Sequence, residues 1–147
     1  MSEHRVTVSW KRASEGFKYE EYNCEHAWAF DAGIQVRASA APDFRGKPDC
    51  VDPEEALVAA LSSCHMLTFL AIASRRRLVV DSYEDAAVGI LEKNGAGRLA
   101  VTRVTLRPKI QFGGPEAPSK EELSKLQEQA HRECFIANSV LTAITIE

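Results

Sequence analysis

The sequence predicts an α+β fold in which an antiparallel sheet wraps a long buried central helix. Three observations carry this expectation. The stretch from Ala56 to Ala73 contains no Asp, Glu, Lys or Arg, so it is too apolar all round for a helix on a protein surface. The segments on either side alternate apolar and polar residues with the period of two expected of strands. The order along the chain is strands, long helix, strands, amphipathic helix, strand, which segregates the two kinds of element as α+β folds do. At 147 residues the chain has room for one ordinary domain, spanning 1–147.

The elements follow in order. Val6, Val8 and Trp10 alternate with Thr7 and Ser9 and predict a half-buried strand. His26, Trp28 and Phe30 predict a second strand and Ile34, Val36 and Ala38 a third, joined by the turn Asp31-Ala32-Gly33. Two prolines, two aspartates and a glycine between Ala41 and Cys50 predict a loop. Asp52 then fits an N-cap, Pro53 the first helical position and Glu55 the reciprocal carboxylate of a capping box. Arg75, Arg76 and Arg77 suit the far end of that helix, where cations complement the dipole.

The uncharged length of this helix meets the minimum for a membrane span. Ser62, Ser63, Cys64, His65 and Thr68 crowd its centre, however, and a lone spanning helix has nothing to satisfy them. The expectation is therefore a core helix and no membrane. Beyond it, Ala86–Lys93 and Arg98–Arg107 flank Asn94-Gly95-Ala96-Gly97, a hairpin signal. Gly113, Gly114, Pro115 and Pro118 break the chain. Ser119 and Glu122 form a second capping box before the one-faced helix of Leu123, Leu126 and Ala130. Val140, Thr142, Ile144 and Ile146 predict a closing strand.

Eighteen Lys and Arg against 21 Asp and Glu give a net charge of −3. This offers no basic excess for a phosphate backbone, so nucleic acid is not an expected partner. MSEHRVTVSW lacks the apolar core of an export signal, which predicts a cytoplasmic protein. Four cysteines in that compartment are expected as thiols rather than structural disulfides.

Cys64 lies mid-helix, and on residue type alone it reads as a small buried hydrophobe. Reactivity there would need a guanidinium from elsewhere in the fold, since the helix dipole acts over the terminal turns. Glu54 lies ten residues earlier, about 15 Å along an ideal helix. It is too far to touch the thiol but within reach of an arginine that does. Alone, Glu54 reads as a first-turn carboxylate favoured by the dipole. Cys24 with His26, Cys64 with His65 and His131 with Cys134 are Cys/His neighbours, but none has zinc-ligand spacing. His131 and Cys134 share a helix face and read as a solvated helix end. His26 reads as a strand residue, and Cys24 and Cys50 as loop residues with no assigned role. Gly95-Ala96-Gly97 is too short for a phosphate loop, and Ser62 and Ser63 sit on no nucleophile elbow.

From Val51 to Cys64, VDPEEALVAALSSC resembles the OsmC/Ohr family of osmotically inducible and organic hydroperoxide resistance proteins. The family pattern is Asn-Pro-Glu followed by a small, apolar helix with a cysteine ten residues after the glutamate; Asp52 stands here for the usual Asn. Cys134-Phe135-Ile136-Ala137-Asn138-Ser139-Val140 resembles the second signature, with Phe135 in place of a frequent proline.

The resemblance implies an intertwined homodimer and a thiol-dependent peroxidase with neither metal nor organic cofactor. It makes Cys64 the peroxidatic thiolate, Cys134 the resolving thiol, and Glu54 the partner of an arginine from the N-terminal strands. Arg12 is the first candidate for that arginine, with Arg37 and Arg45 as alternatives. The substrate implied is an organic hydroperoxide and the reductant a dithiol, often lipoyl-linked in the family. Two other classes compete: a small-ligand-binding dimer on the same fold with inert thiols, and a zinc-stabilised interaction module.

Overall fold

The computed structural model describes residues 1–147. They form two compact units, Met1–Ala56 and Leu57–Glu147. In the first, β1 (Val6–Ser9), β2 (His26–Phe30) and β3 (Gln35–Ala38) make an antiparallel sheet with β2 in the centre. The turn between β2 and β3 falls on Asp31–Gly33 as expected, and Ala32 and Gly33 both take left-handed backbone conformations there (φ 63° and 77°). The β1 residues expected to be half-buried are instead exposed on both faces in this chain. A parallel bridge joins Ala38 to Val51. The loop that contains Pro42–Phe44 ends at Arg45 in the left-handed region. Gly46 comes so close to the Ala40 carbonyl that a Cβ has no room.

Helix α1 (Pro53–Arg75) starts in this unit and continues through the second. Its capping box is in place: Glu55 N–H donates to Asp52 Oδ1 at 2.7 Å, and Asp52 N–H to Glu55 Oε2 at 3.2 Å. The second unit adds β4 (Val79–Asp85), β5 (Val88–Lys93), β6 (Leu99–Leu106) and β7 (Pro108–Gly113). Helix α2 (Lys120–Glu133) and β8 (Ala143–Ile146) complete it. The β5–β6 hairpin closes where Asn94 Oδ1 accepts from Ala96 and Arg98 N–H and Gly97 turns at φ 74°. The capping box at α2 is also as expected, with Glu122 N–H donating to Ser119 Oγ.

Three expectations need correction. β4 and β7 form a two-stranded sheet that the alternation pattern does not reveal. Asp81 and Ser82 interrupt the apolar period of β4, and its register shifts between Val80 and Ser82. β8 is shorter than Val140–Ile146 and pairs parallel to β6, so the third sheet is mixed rather than antiparallel. Within this chain α1 is left open on one side, as expected of a helix too apolar for one small subunit to cover.

Leu61, His65, Phe69, Ile72 and Ala73 form its buried stripe, spaced three and four residues apart as one helix face requires. Leu67 on another side is 60% exposed. The buried stripe feeds two cores. Phe69, Ile72 and Ala73 pack with Leu126 and Ala130 of α2, and Leu61 packs with Val104 and Leu106 of β6. Gly89 of β5 faces Val58 so closely that a larger residue would push the helix off the strand. Arg77 ends the helix in a left-handed conformation, and Leu78 N–H returns to the Ala73 carbonyl.

Candidate functional site

Cys64 and Cys134 lie 70 residues apart in sequence and meet in the second unit. Cys64 comes from the middle of α1 and is half-buried; Cys134 caps the C-terminus of α2 and is 1% exposed. The turn after α2 holds both sulfurs with successive peptides. Ile136 N–H donates to Cys64 Sγ at 3.5 Å and Ala137 N–H to Cys134 Sγ at 3.4 Å. Burial first, and the adjoining Cys64 side chain second, push the Cys134 thiol up to about 11, so at neutral pH it keeps its proton. The expectation of a solvated helix end fails here, because Cys134 is buried and His131 half-buried.

A buried polar pair joins the same two helices. His65 is 1% exposed and its Nε2 lies 2.6 Å from Gln127 Oε1. A carbonyl oxygen can only accept, so that nitrogen carries the proton. Desolvation, opposed by the Gln127 bond, lowers the His65 pKa and keeps the ring neutral at neutral pH. Its Nδ1 has no partner, and neither do Nδ1 of His131 and Oη of Tyr83. Ser62 Oγ donates to Asp85 Oδ2 at 2.5 Å while Asp85 Oδ1 accepts Arg107 N–H at 2.6 Å. Ser62, Cys64, Thr68 and one ring nitrogen of His65 thus find partners within their own unit. Sequence reasoning gave no role to His65, Gln127 or His131. The signal available was spacing: Gln127, His131 and Cys134 fall at i, i+4 and i+7 on one face of α2.

The remaining candidates lie in the first unit. Glu54 stands in the first turn of α1 and makes no ion pair. The Arg12 guanidinium donates to the carbonyls of Ser14 and Glu15. Arg37 pairs with Asp49 at 3.1 Å. Arg45 donates to the carbonyls of Tyr19 and Tyr22 and stacks over both rings, 5.0 and 5.1 Å from their centroids. Within one chain, then, none of the three arginines is joined to Glu54. Cys24 and Cys50 are free thiols, and Cys24 borders a cavity of about 440 Å³ with Trp10, Phe17, Tyr22 and His26. Nowhere do three or more His, Cys, Asp or Glu side chains converge as a metal would need.

Residues 46–147 match the model of the family described as OsmC-like protein. The chain belongs to the OsmC-like family. Among solved structures of this OsmC-like fold, an OsmC-like protein of unknown function from Vibrio cholerae is 50% identical, with TM-score 0.96, over 100% of this chain and 99% of that one. An organic hydroperoxide resistance protein from Elizabethkingia anophelis is 17% identical with TM-score 0.74, covering 99% of this chain and 93% of its own. The organic hydroperoxide resistance protein OhrB of Bacillus subtilis is 18% identical with TM-score 0.72, covering 99% and 97%. These last two share the OsmC-like fold. No curated protein matches the chain.

Proposed function

We propose that this OsmC-like protein is a cytoplasmic, homodimeric, single-domain peroxidase that reduces organic hydroperoxides through Cys64 and Cys134. The observation that carries this reading is the junction of two thiols from distant helices on successive peptide N–H groups. Family membership supports it, as do the hydroperoxide resistance proteins among the structural relatives.

In this mechanism the Cys64 thiolate attacks the terminal peroxide oxygen, the O–O bond breaks, and the alkoxide leaves as alcohol after taking a proton. Cys64 becomes a sulfenic acid. The Cys134 sulfur then displaces the sulfenic oxygen as water and forms the disulfide, which an external dithiol, such as a lipoyl group, reduces by exchange. Glu54 acts by positioning an arginine beside Cys64 through a charge-assisted pair. Arg12 is the first choice for that arginine, with Arg37 and Arg45 as alternatives, and to reach Glu54 it has to leave the Ser14 and Glu15 carbonyls. Leu61 and Met66 around the thiol favour an organic over a purely aqueous peroxide.

The test is consumption of cumene hydroperoxide with dihydrolipoamide or dithiothreitol as reductant. Peptide mapping after one equivalent of hydroperoxide is expected to show a Cys64–Cys134 linkage. Finding Cys24 joined to Cys50 with Cys64 still alkylatable refutes the assignment.

The aromatic cavity of the first unit favours a second reading, a small-ligand-binding dimer with inert thiols. In that case hydroperoxide is not consumed, while an apolar ligand entering beside Trp10 changes its fluorescence.

A further inference from the structure

The cavity of about 440 Å³ beside Cys24 lies wholly within the first unit, and neither Cys64 nor Cys134 lines it. Its size is that of a small-molecule site. Trp10, Phe17 and Tyr22 supply aromatic walls, and no Asp, Glu, Lys or Arg borders it. Trp10 is 44% exposed and Phe17 67%, so the chain leaves two large rings in water at one concave place. Apolar surface gathered in this way marks a contact site, unlike apolar residues scattered singly.

The walls are held in place by the chain itself. Trp10 Nε1–H donates to the Asn23 carbonyl at 2.7 Å, and the Asn23 side chain ties back to Lys11 and Ala13. The Trp10 and Phe17 ring centroids are 5.9 Å apart, and those of Phe17 and Tyr22 5.4 Å. Arg45 holds the Tyr22 carbonyl and stacks on the Tyr22 ring. Little side-chain freedom is then left for a ligand to remove, which favours binding.

Most polar groups of the lining are already spent. Asn23 and the Trp10 N–H serve the loop, and Ser39 Oγ accepts Lys47 N–H. His26 differs. Its Nδ1 lies 2.8 Å from the Cys24 carbonyl oxygen. That oxygen only accepts, so Nδ1 carries the proton, and in the neutral ring Nε2 is an acceptor with nothing to donate. The His26 side chain makes no second hydrogen bond. Tyr22 Oη and Cys24 Sγ are unbonded too, but each can donate as well as accept. Uncharged aromatic walls around one obligate acceptor suit an uncharged aromatic molecule that brings its own donor. A charged ligand would leave water without meeting an opposite charge.

We propose that this cavity binds a neutral aromatic ligand with one hydrogen-bond donor, such as a phenol. Its ring lies against Trp10, Phe17 and Tyr22, and its O–H donates to His26 Nε2. Binding is non-covalent and independent of the chemistry of Cys64 and Cys134.

The test is calorimetric titration of the full-length protein at pH 8 with three probes built on one ring system. These are 2-naphthol, 2-methoxynaphthalene, which lacks the donor, and 2-naphthoate, which carries a charge. 2-Naphthol is expected to bind about two- to tenfold more tightly than 2-methoxynaphthalene, the scale of one hydrogen bond. 2-Naphthoate is expected to bind more weakly than either. NMR shift changes on adding 2-naphthol are expected at the Trp10 indole and not at the amides of α2. His26→Phe is expected to erase the preference for 2-naphthol, and His26→Gln, whose side-chain oxygen accepts, to keep it. Trp10→Ala is expected to weaken both uncharged probes by about tenfold or more.

Three results on the wild-type protein overturn the proposal: no binding of 2-naphthol, equal affinity for the two uncharged probes, or shifts confined to the second unit. They decide it even if a His26 variant fails to fold. Hydroperoxide consumption is scored in a separate assay, so loss of this site leaves the peroxidase reading standing and loss of that reading leaves this site standing.

Discussion

Helices α1 and α2 start alike and then diverge. Each opens on a capping box, Asp52 with Glu55 and Ser119 with Glu122. After that, α2 alternates a buried stripe of Leu126, Gln127 and Ala130 with charged residues such as Glu121, Lys125 and Glu128 on its open side. It is an ordinary surface helix with one buried face and one charged face. α1 buries an equally narrow stripe yet offers no charge between Ala56 and Ala73 on any side. Such a helix carries more apolar surface than its own chain covers, and it also carries the half-buried thiol. The contrast separates a helix whose open side is charged from one whose open side is apolar.

The strongest way to break this contrast is Cys64→Ser. Peroxide consumption is expected to fall by at least about a thousandfold, the scale of losing a covalent nucleophile. Cys134→Ser on α2 should leave the first oxidation intact and stop turnover at the sulfenic acid. Equal loss of the first step in both variants, read by dimedone trapping, would merge the roles of the two helices.

Next in size is Glu54→Ala, expected to slow Cys64 oxidation about ten- to a hundredfold, as a lost charge-assisted bond of roughly 1.5–3 kcal/mol implies. Glu55→Ala should instead cost about 1 kcal/mol or less of stability, since Glu55 completes the cap. Equal, small effects of the two substitutions on the oxidation rate would reduce Glu54 to a first-turn carboxylate.

Assembly gives the third comparison. The wild-type protein is expected to sediment as a dimer at micromolar concentration, and Leu67→Glu on the open side of α1 to shift it toward monomer. Glu128→Leu on the open side of α2 should leave the state unchanged. A wild-type monomer would remove the argument from the uncovered helix.

A smaller effect concerns pH. The His65 pKa is lowered from 6.5 in the folded protein by burial, so below about 6.5 the unfolded chain binds a proton that the folded one resists. The contribution of His65 is thus complete above that value and is lost as pH falls toward the folded pKa, at up to about 1.4 kcal/mol per pH unit for one proton. His65→Gln keeps a donor for Gln127. Between pH 7 and pH 5 its urea midpoint is expected to fall less than that of the wild type. An identical fall would place the acid sensitivity elsewhere.

What could be read in advance followed the range of the interactions. The two capping boxes, the turn at Asp31–Gly33 and the Asn94–Gly97 hairpin depend on neighbours within a few residues, and each formed where the residue types indicated. The two sulfurs were found through family motifs around Pro53-Glu54 and Cys134, not through any physical signal at the cysteines themselves. The pairing of β4 with β7 escaped notice because Asp81 and Ser82 break the alternation and the partner strand lies beyond a hairpin. The parallel pairing of β8 with β6 joins Arg103 to Ala143, a separation no local pattern encodes. His131 read as a solvated helix end because a single helix gives no sign of which neighbour will cover one side of a ring. Burial and lost partners arise only when the helices pack.

The parallel seat of β8 also sets an order of events during synthesis. A hairpin such as β5–β6 can close as soon as it leaves the ribosome, but a strand that returns from beyond α2 must wait for Ile146 to emerge. The turn at Ile136 and Ala137, which grips both sulfurs, lies between α2 and that last strand. Until that turn forms, the nascent chain has both cysteines but no peptide groups to hold them together. The two sulfurs are therefore brought together only after α2 and the turn that follows it have formed, and before that they are separate thiols.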